Sequence, residues 1–187
     1  FLEQRRALFE PLGVHDEHPA WLENEIIEGW VAVRYAHAEE GTRLAERVLA
    51  IAERDGHDAL LGKALRLLGK VLRAHSMDDS SAAFERALIP LARAGDMAEL
   101  GKAKLALGWD RGRSGSVEEG LGILDEAQLV FQRTGDLFWE KNITRARSFL
   151  LLQGGRLKEA REASERELPE FKFQSNATML ALARGEA

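Results

Sequence analysis

Three short stretches of this 187-residue chain recur at a fixed interval. Arg54-Asp55-Gly56-His57, Arg93-Ala94-Gly95-Asp96 and Arg133-Thr134-Gly135-Asp136 set their glycines 39 and 40 residues apart. Gly62-Lys63-Ala64 and Gly101-Lys102-Ala103 follow at the same offset. Ala7-Leu8-Phe9 before Leu12-Gly13 reads as an earlier copy, matching Val130-Phe131 before Gly135. A period near 40 restricts what the chain can become. Each unit is one supersecondary element that cannot bury its apolar face alone, so the units stack on their neighbours as a solenoid.

The unit is helical. Val, Ile and Thr together number only 17, so strand formers are scarce. Leu61, Leu65, Leu68 and Leu72 fall at i, i+4, i+7 and i+11, and Leu121, Leu124, Gln128 and Phe131 follow a similar stripe. Caps and breakers predict about ten helices, near 1–12, 21–39, 42–55, 58–75, 79–94, 97–113, 117–133, 137–153, 157–168 and 176–184. Pro90 is expected to kink or shorten its helix, because it removes a backbone donor and crowds the preceding turn. Two helices per period make an antiparallel hairpin.

Within the hairpins the residues point to a family. Leu107-Gly108, then Gly115, Gly120, Leu124 and Ala127 match the tetratricopeptide pattern, with Gly120 standing where Ala is usual. Leu68-Gly69 followed by Phe84 and Ala87 matches with one residue deleted in the turn. Ala45, Leu49 and Ala52 supply the second-helix half of another unit, and Gly155, Ala160 and Glu167 a degenerate last one. Over residues 21–168 the chain resembles tetratricopeptide repeats of the longer, Gly-Asp-linked kind. Such repeats occur in the polarity adaptor LGN and in superhelical domains of bacterial regulators such as the maltose activator. The resemblance implies an all-α fold, a right-handed superhelical solenoid of antiparallel helix pairs. It reads as one domain over 1–187, with repeats at 21–55, 58–94, 97–133 and 137–168. Residues 1–13 and 176–184 look like half repeats, as expected of a piece of a longer chain.

In this family the first helix of each pair lines the concave surface. Carried over position by position, the groove comprises Trp30, Arg34 and His37 in the first unit and Lys63, Arg66, Lys70 and Arg73 in the second. The third unit contributes Lys102, Leu105, Trp109 and Arg113, and the fourth Asn142, Arg145, Phe149 and Gln153. The spacing of Lys63, Arg66, Lys70 and Arg73 independently puts them on one helical stripe, and residues 61–77 contain no acidic residue. Two readings stand. The stripe is a solvated polar face, or it is a cationic groove with aromatic platforms at Trp30, Trp109 and Phe149. Such a groove suits an acidic or aromatic-containing peptide. The carboxylate clamp of some relatives is not reproduced. Lys102 is present, but Ala106 stands where Arg is needed, and Trp30 and Arg34 replace a Lys and Asn pair.

Other motifs carry less. His15-Asp16-Glu17-His18 has ligand types for zinc or nickel but lies in a loop before Pro19. Gly112-Arg113-Ser114-Gly115-Ser116 lacks the Gly-Lys-Ser/Thr ending of a phosphate loop and reads as a turn, with Ser116 as an N-cap. His57 and His75 read as turn residues. The chain has no cysteine, which excludes disulfides, thiolate metal sites and cysteine nucleophiles. No catalytic constellation can be assembled. The expectation is therefore a non-enzyme without metal or cofactor, and a cytoplasmic location, since neither a membrane-spanning run nor a secretory signal is present.

The formal net charge of −5 resides in residues 1–28, which hold seven acidic and two basic residues; the remainder is neutral. Bulk attraction to nucleic acid or anionic lipid is thus not expected. The acidic start suits folding against the chain's own basic groove or that of a second copy. The leading expectation is a protein-interaction module that binds a peptide or helix of a partner. The alternative is a sensory or regulatory domain of a larger bacterial transcription or signalling regulator, taking a small effector or a neighbouring domain.

Overall fold

Each 40-residue period folds as a helical hairpin. The computed structural model describes Pro11 and residues 15–167. The hairpins are α1 (Pro19–Arg34) with α2 (Ala38–Asp55), α3 (Asp58–Leu72) with α4 (Met77–Ala94), α5 (Met97–Arg113) with α6 (Val117–Thr134), and α7 (Leu137–Gln153) with α8 (Leu157–Glu167). The described residues thus form eight helices and no strand; the two further helices expected at 1–12 and 176–184, with their half repeats, lie outside the described residues. None of the eight is long and apolar enough to cross a membrane. The chain divides into two compact units, Phe1–Asp96 with α1 to α4 and Met97–Ala187 with α5 to α8.

The recurring Gly is a helix stop. Gly56, Gly95 and Gly135 all take the left-handed conformation, with φ of 70, 68 and 70°. In each case the next residue's N–H reaches back to a carbonyl five residues earlier: His57 to Ala52, Asp96 to Leu91 and Asp136 to Phe131, at 2.9, 3.1 and 3.1 Å. That is a Schellman closure, which satisfies an otherwise orphaned carbonyl at the helix end. A Cβ at these three glycines would touch nothing, so backbone conformation alone calls for Gly there.

The α1–α2 turn shows why the first boundary was misplaced. α1 stops at Arg34 and α2 begins at Ala38, rather than at 39 and 42. Ala36 holds the left-handed position, with φ of 63°, and His37 N–H closes on Ala32 O at 2.9 Å. The turn has the usual geometry without the usual glycine, so no breaker marks it. Pro90 does not shorten its helix. It is buried inside α4, which continues to Ala94. The lost donor lies in the last turns, and burying the ring offsets it. Ser116 occupies the N-cap of α6 but makes no side-chain capping bond. Ser76 and Asp136 do cap, accepting from Asp79 N–H at 3.1 Å and Trp139 N–H at 3.3 Å.

In the first unit, a core of Leu22, Ile26, Val48, Ile51, Ala52, Leu60 and Ala64 joins α1, α2 and α3. α3 touches α1, α2 and α4. Its buried residues are consequently Leu60, Ala64, Leu65, Leu67 and Val71; of the expected stripe Leu65 is buried, whereas Leu61, Leu68 and Leu72 are half-buried. In α2 the register shifts as well. Gly41 makes the close approach, Ala45 and Ala52 are buried, and Leu49 is half-buried. In the second unit, Leu121, Leu124, Ala127, Phe131, Ile143, Ala146, Leu150, Leu151 and Ala160 form the core. Each fully buried Leu, Ile or Phe there contributes roughly 1.5–3 kcal/mol.

Small residues set how closely helices cross. A Cβ on Gly120 would lie 2.6 Å from Gly108 O and 2.7 Å from Gly112 N. Backbone cannot give way as a side-chain tip can, so the departure from Ala at Gly120 is a steric requirement of the α5–α6 crossing.

Candidate functional site

The first-helix residues fall into two groups with different fates. In the first unit the cationic stripe is largely occupied by the unit's own residues. Lys63 Nζ lies 2.6 Å from Glu23 Oε1 and 3.5 Å from Asp96 Oδ2. The Arg66 guanidinium sits over the Trp30 ring at 4.2 Å, and Arg73 over Phe84 at 5.1 Å. Lys70 is exposed. The absence of acidic residues at 61–77 therefore did not leave a bare cationic strip, because the carboxylates come from α1 and from the turn after α4. Trp30 is likewise no open platform: one face carries Arg66, and its indole Nε1 is buried without a hydrogen-bond partner. His37 is not on the helix face at all. It occupies the N-cap of α2 and lines a cleft of about 670 Å³ with Ala32, Ala36, Glu39, Glu40 and His75. Arg34 is exposed at the end of α1.

The acidic start is part of this neutralisation. Asp16 and Glu25 both pair with Arg47, and Glu17 pairs with Arg54 at 3.0 Å. Glu25 is buried and also accepts from Trp21 Nε1 at 3.1 Å. Hydrogen bonds from Arg54 hold the Asp55 carboxyl below its ordinary range. Exposed pairs of this kind are screened by solvent and contribute little to stability. Their consequence is that acidic groups of 16–25 fold onto α2 and α3 of the same unit. His15 and His18 lie edge to face, with ring centres 5.9 Å apart. Each accepts a backbone N–H through Nδ1. No group of metal-ligating residues assembles among the described residues.

The second unit presents a different face. Lys102, Leu105, Trp109 and Arg113 run along α5, and Asn142, Arg145, Phe149 and Gln153 run along α7 at the same 3-4-4 spacing. A 40-residue offset pairs Trp109 with Phe149. Their rings meet with centroids 4.7 Å apart and planes tilted by 31°. Both are half-buried, and with Leu105 they back onto the core cluster. The Arg113 guanidinium stands 5.9 Å from the Trp109 ring centre, while Gln153 Nε2 donates to Arg113 O at 3.3 Å and ties the two helix ends together. Arg145 Nη2 donates to Asn142 Oδ1 at 3.2 Å and remains exposed. Lys102 is committed to Glu99 at 2.7 Å and lies 5.4 Å from the Trp139 ring. The face is thus a rigid aromatic pair flanked by two exposed arginines, with no acidic residue among the eight.

A second concavity of this unit, of about 450 Å³, lies between α6, α7 and α8 and is lined by Glu118, Asp125, Arg147, Arg156, Glu159 and Glu162. Its arginines are engaged, Arg147 with Asp125 and Arg156 with Glu118 and Glu159. One residue escaped sequence reasoning. Asp110 on α5 is fully buried, at the place held by Val71 in α3 and Leu150 in α7. An acid in an otherwise apolar column of the repeat was the signal.

These hairpins define the class, a tetratricopeptide-like helical repeat. The chain resembles BtubC (BKLC) from P. vanneervenii at 20% identity and a TM-score of 0.76, covering 98% of this chain and 80% of that one. It resembles the Pyrococcus horikoshii STAND protein PH0952, an ATPase with a tetratricopeptide repeat sensor, at 17% identity and a TM-score of 0.69. That match covers 98% of this chain and 28% of that one. A Podospora anserina protein with nearly identical TPR-like repeats matches at 16% identity and a TM-score of 0.63, over 98% and 85% of the two chains. No protein-family model and no curated protein matches the sequence.

Proposed function

We propose that the chain is a non-enzymatic protein-interaction module whose second unit holds a peptide or helix of a partner against α5 and α7. The Trp109–Phe149 pair carries this reading. Its two rings meet across α5 and α7, backed by core and bordered by exposed cations. A partner's aromatic or branched aliphatic side chain rests on the rings, and Arg113 and Arg145 take carboxylates beside it. The partner segment is thus an apolar anchor flanked by acidic residues. The tetratricopeptide-like fold supports the reading, since helical-repeat surfaces suit extended or helical ligands.

A second reading, a sensory domain of a larger regulator, is favoured by the likeness to a STAND protein with a tetratricopeptide repeat sensor. The same face then takes a small effector or a neighbouring domain.

Selection from a peptide-display library, followed by affinity measurement on variants, tests the first reading. Trp109→Ala with Phe149→Ala is expected to weaken the selected peptides about 30-fold, the scale of an aromatic hot spot. Arg113→Glu with Arg145→Glu, which alters only exposed groups, is expected to weaken the acidic ones. Unchanged affinity in both folded variants contradicts the assignment.

A further inference from the structure

The α5–α7 face carries a second aromatic pair at its other end. The Lys102 ammonium, near the start of α5, lies 5.4 Å from the ring of Trp139 near the start of α7, and Trp109 meets Phe149 toward the far end of both helices. The two helices therefore run side by side in one direction. Next to Trp139 stands Phe138, edge to face with it at 5.3 Å and 63% exposed. Trp139 in turn stacks on the buried Phe131, with ring centres 6.1 Å apart, so the exposed ring is seated on core. Phe138 precedes Phe149 by eleven residues. That is about three helical turns, which puts both rings on one stripe of α7, about 16 Å apart.

We propose, on the reading of this face as a binding seat, that its partner is an acidic amphipathic helix laid antiparallel to α5 and α7, with two apolar anchors eleven residues apart. An extended segment rises about 3.4 Å per residue and alternates its side chains. The residue that reaches Phe138, about five places from the first anchor, then points away from it. A helix rises about 1.5 Å per residue and brings its eleventh neighbour back to the same face at about 16 Å. The charges set the rest of the pattern. Arg145 lies one turn before Phe149 and Arg113 one turn after Trp109, and both are exposed. They flank the anchor held by the Trp109–Phe149 pair, so carboxylates belong four residues to either side of that anchor. In the antiparallel direction these carboxylates fall in the partner's first turns, where its dipole favours them. That dipole also opposes those of α5 and α7.

Three fluorescently labelled Ala/Gln-based helical peptides, titrated with the full chain, test this. The first carries Leu as the anchor, Glu four residues to either side, and a second Leu eleven residues further toward its C-terminus. In the second peptide the distal Leu is Ala. In the third it is moved by two residues, to the other side of the helix. The first is expected to bind about tenfold more tightly than either of the others. Phe138→Ala, which removes an exposed ring, is expected to cancel that advantage and leave the second peptide's affinity unchanged, whereas Trp109→Ala with Phe149→Ala weakens all three. A nitroxide at the N-terminus of the first peptide is expected to broaden the Trp109 indole signal more than that of Trp139. Equal binding of the first two peptides, both still weakened by Trp109→Ala with Phe149→Ala, leaves the seat in place and overturns the second anchor. Binding of the third peptide as tight as that of the first overturns the helix, and stronger broadening at Trp139 overturns its direction. Failure of every peptide to bind the wild-type chain overturns the seat itself and this inference with it.

Discussion

The hairpins α3–α4 and α5–α6 carry one motif 39–40 residues apart, yet they close by different means. In α3–α4 the Phe84 ring lies against Gly69, where an added Cβ would stand 3.0 Å from it, and the Ser80 hydroxyl donates to Gly69 O at 2.8 Å. In α5–α6 the corresponding side chain is Leu124, and Gly120 replaces Ser80. Backbone then meets backbone across Gly108 and Gly120. A larger second-helix side chain goes with a gap bridged by a hydroxyl; a smaller one goes with a crossing only glycine permits. The outer faces differ in the same way. Lys63, Arg66 and Lys70 of α3 correspond to Lys102, Leu105 and Trp109 of α5. Lys63 and Arg66 are taken up by neighbouring carboxylates and the Trp30 ring, whereas Leu105 and Trp109 belong to an aromatic platform. A shared fold motif thus leaves the face free to diverge.

The sharpest way to break this comparison is Gly120→Ala. Its methyl meets rigid backbone and is expected to cost about 3 kcal/mol or more in urea unfolding. Gly122→Ala, two residues along the same helix, meets nothing. It is expected to be neutral or to stabilise by up to about 1 kcal/mol. Next in size is the contrast at the face. Trp109→Ala removes a half-buried ring and should cost about 2 kcal/mol, against about 0.5 kcal/mol or less for Lys70→Ala at the equivalent exposed place. Ser80→Ala removes one buried hydroxyl bond and should cost about 1 kcal/mol, leaving the α3–α4 crossing otherwise intact. The smallest effect is a gain. Ala36→Gly relieves a left-handed alanine and should raise stability by up to about 1 kcal/mol, read as a higher Tm.

What the sequence revealed follows from which interactions are local. The period, the Schellman glycines and the helix pairs could be read because they depend on residues within a turn of one another. The α1–α2 boundary could not, because Ala36 performs a glycine's task without a glycine. The buried face of α3 is wider than the expected stripe, since a helix with three neighbours buries Leu60, Ala64, Leu67 and Val71 beside Leu65. Lys63 looked uncommitted because the search for its partner stayed within its own helix, whereas Glu23 stands 40 residues upstream. The same holds for Trp30 under Arg66. Of the residues carried over by family position, the α5 and α7 set forms one surface, and His37 drops out because its helix ends before it.

The four tryptophans, at positions 21, 30, 109 and 139, allow the most direct test of the central claim, that the α5–α7 face rather than the α3 stripe is the binding seat. Indole N–H resonances of the ¹⁵N-tryptophan-labelled chain are followed while a display-selected peptide is added. The account predicts that the Trp109 signal moves and saturates with the peptide while those of Trp21 and Trp30 stay in place. Movement of Trp30 with Trp109 unmoved would contradict it.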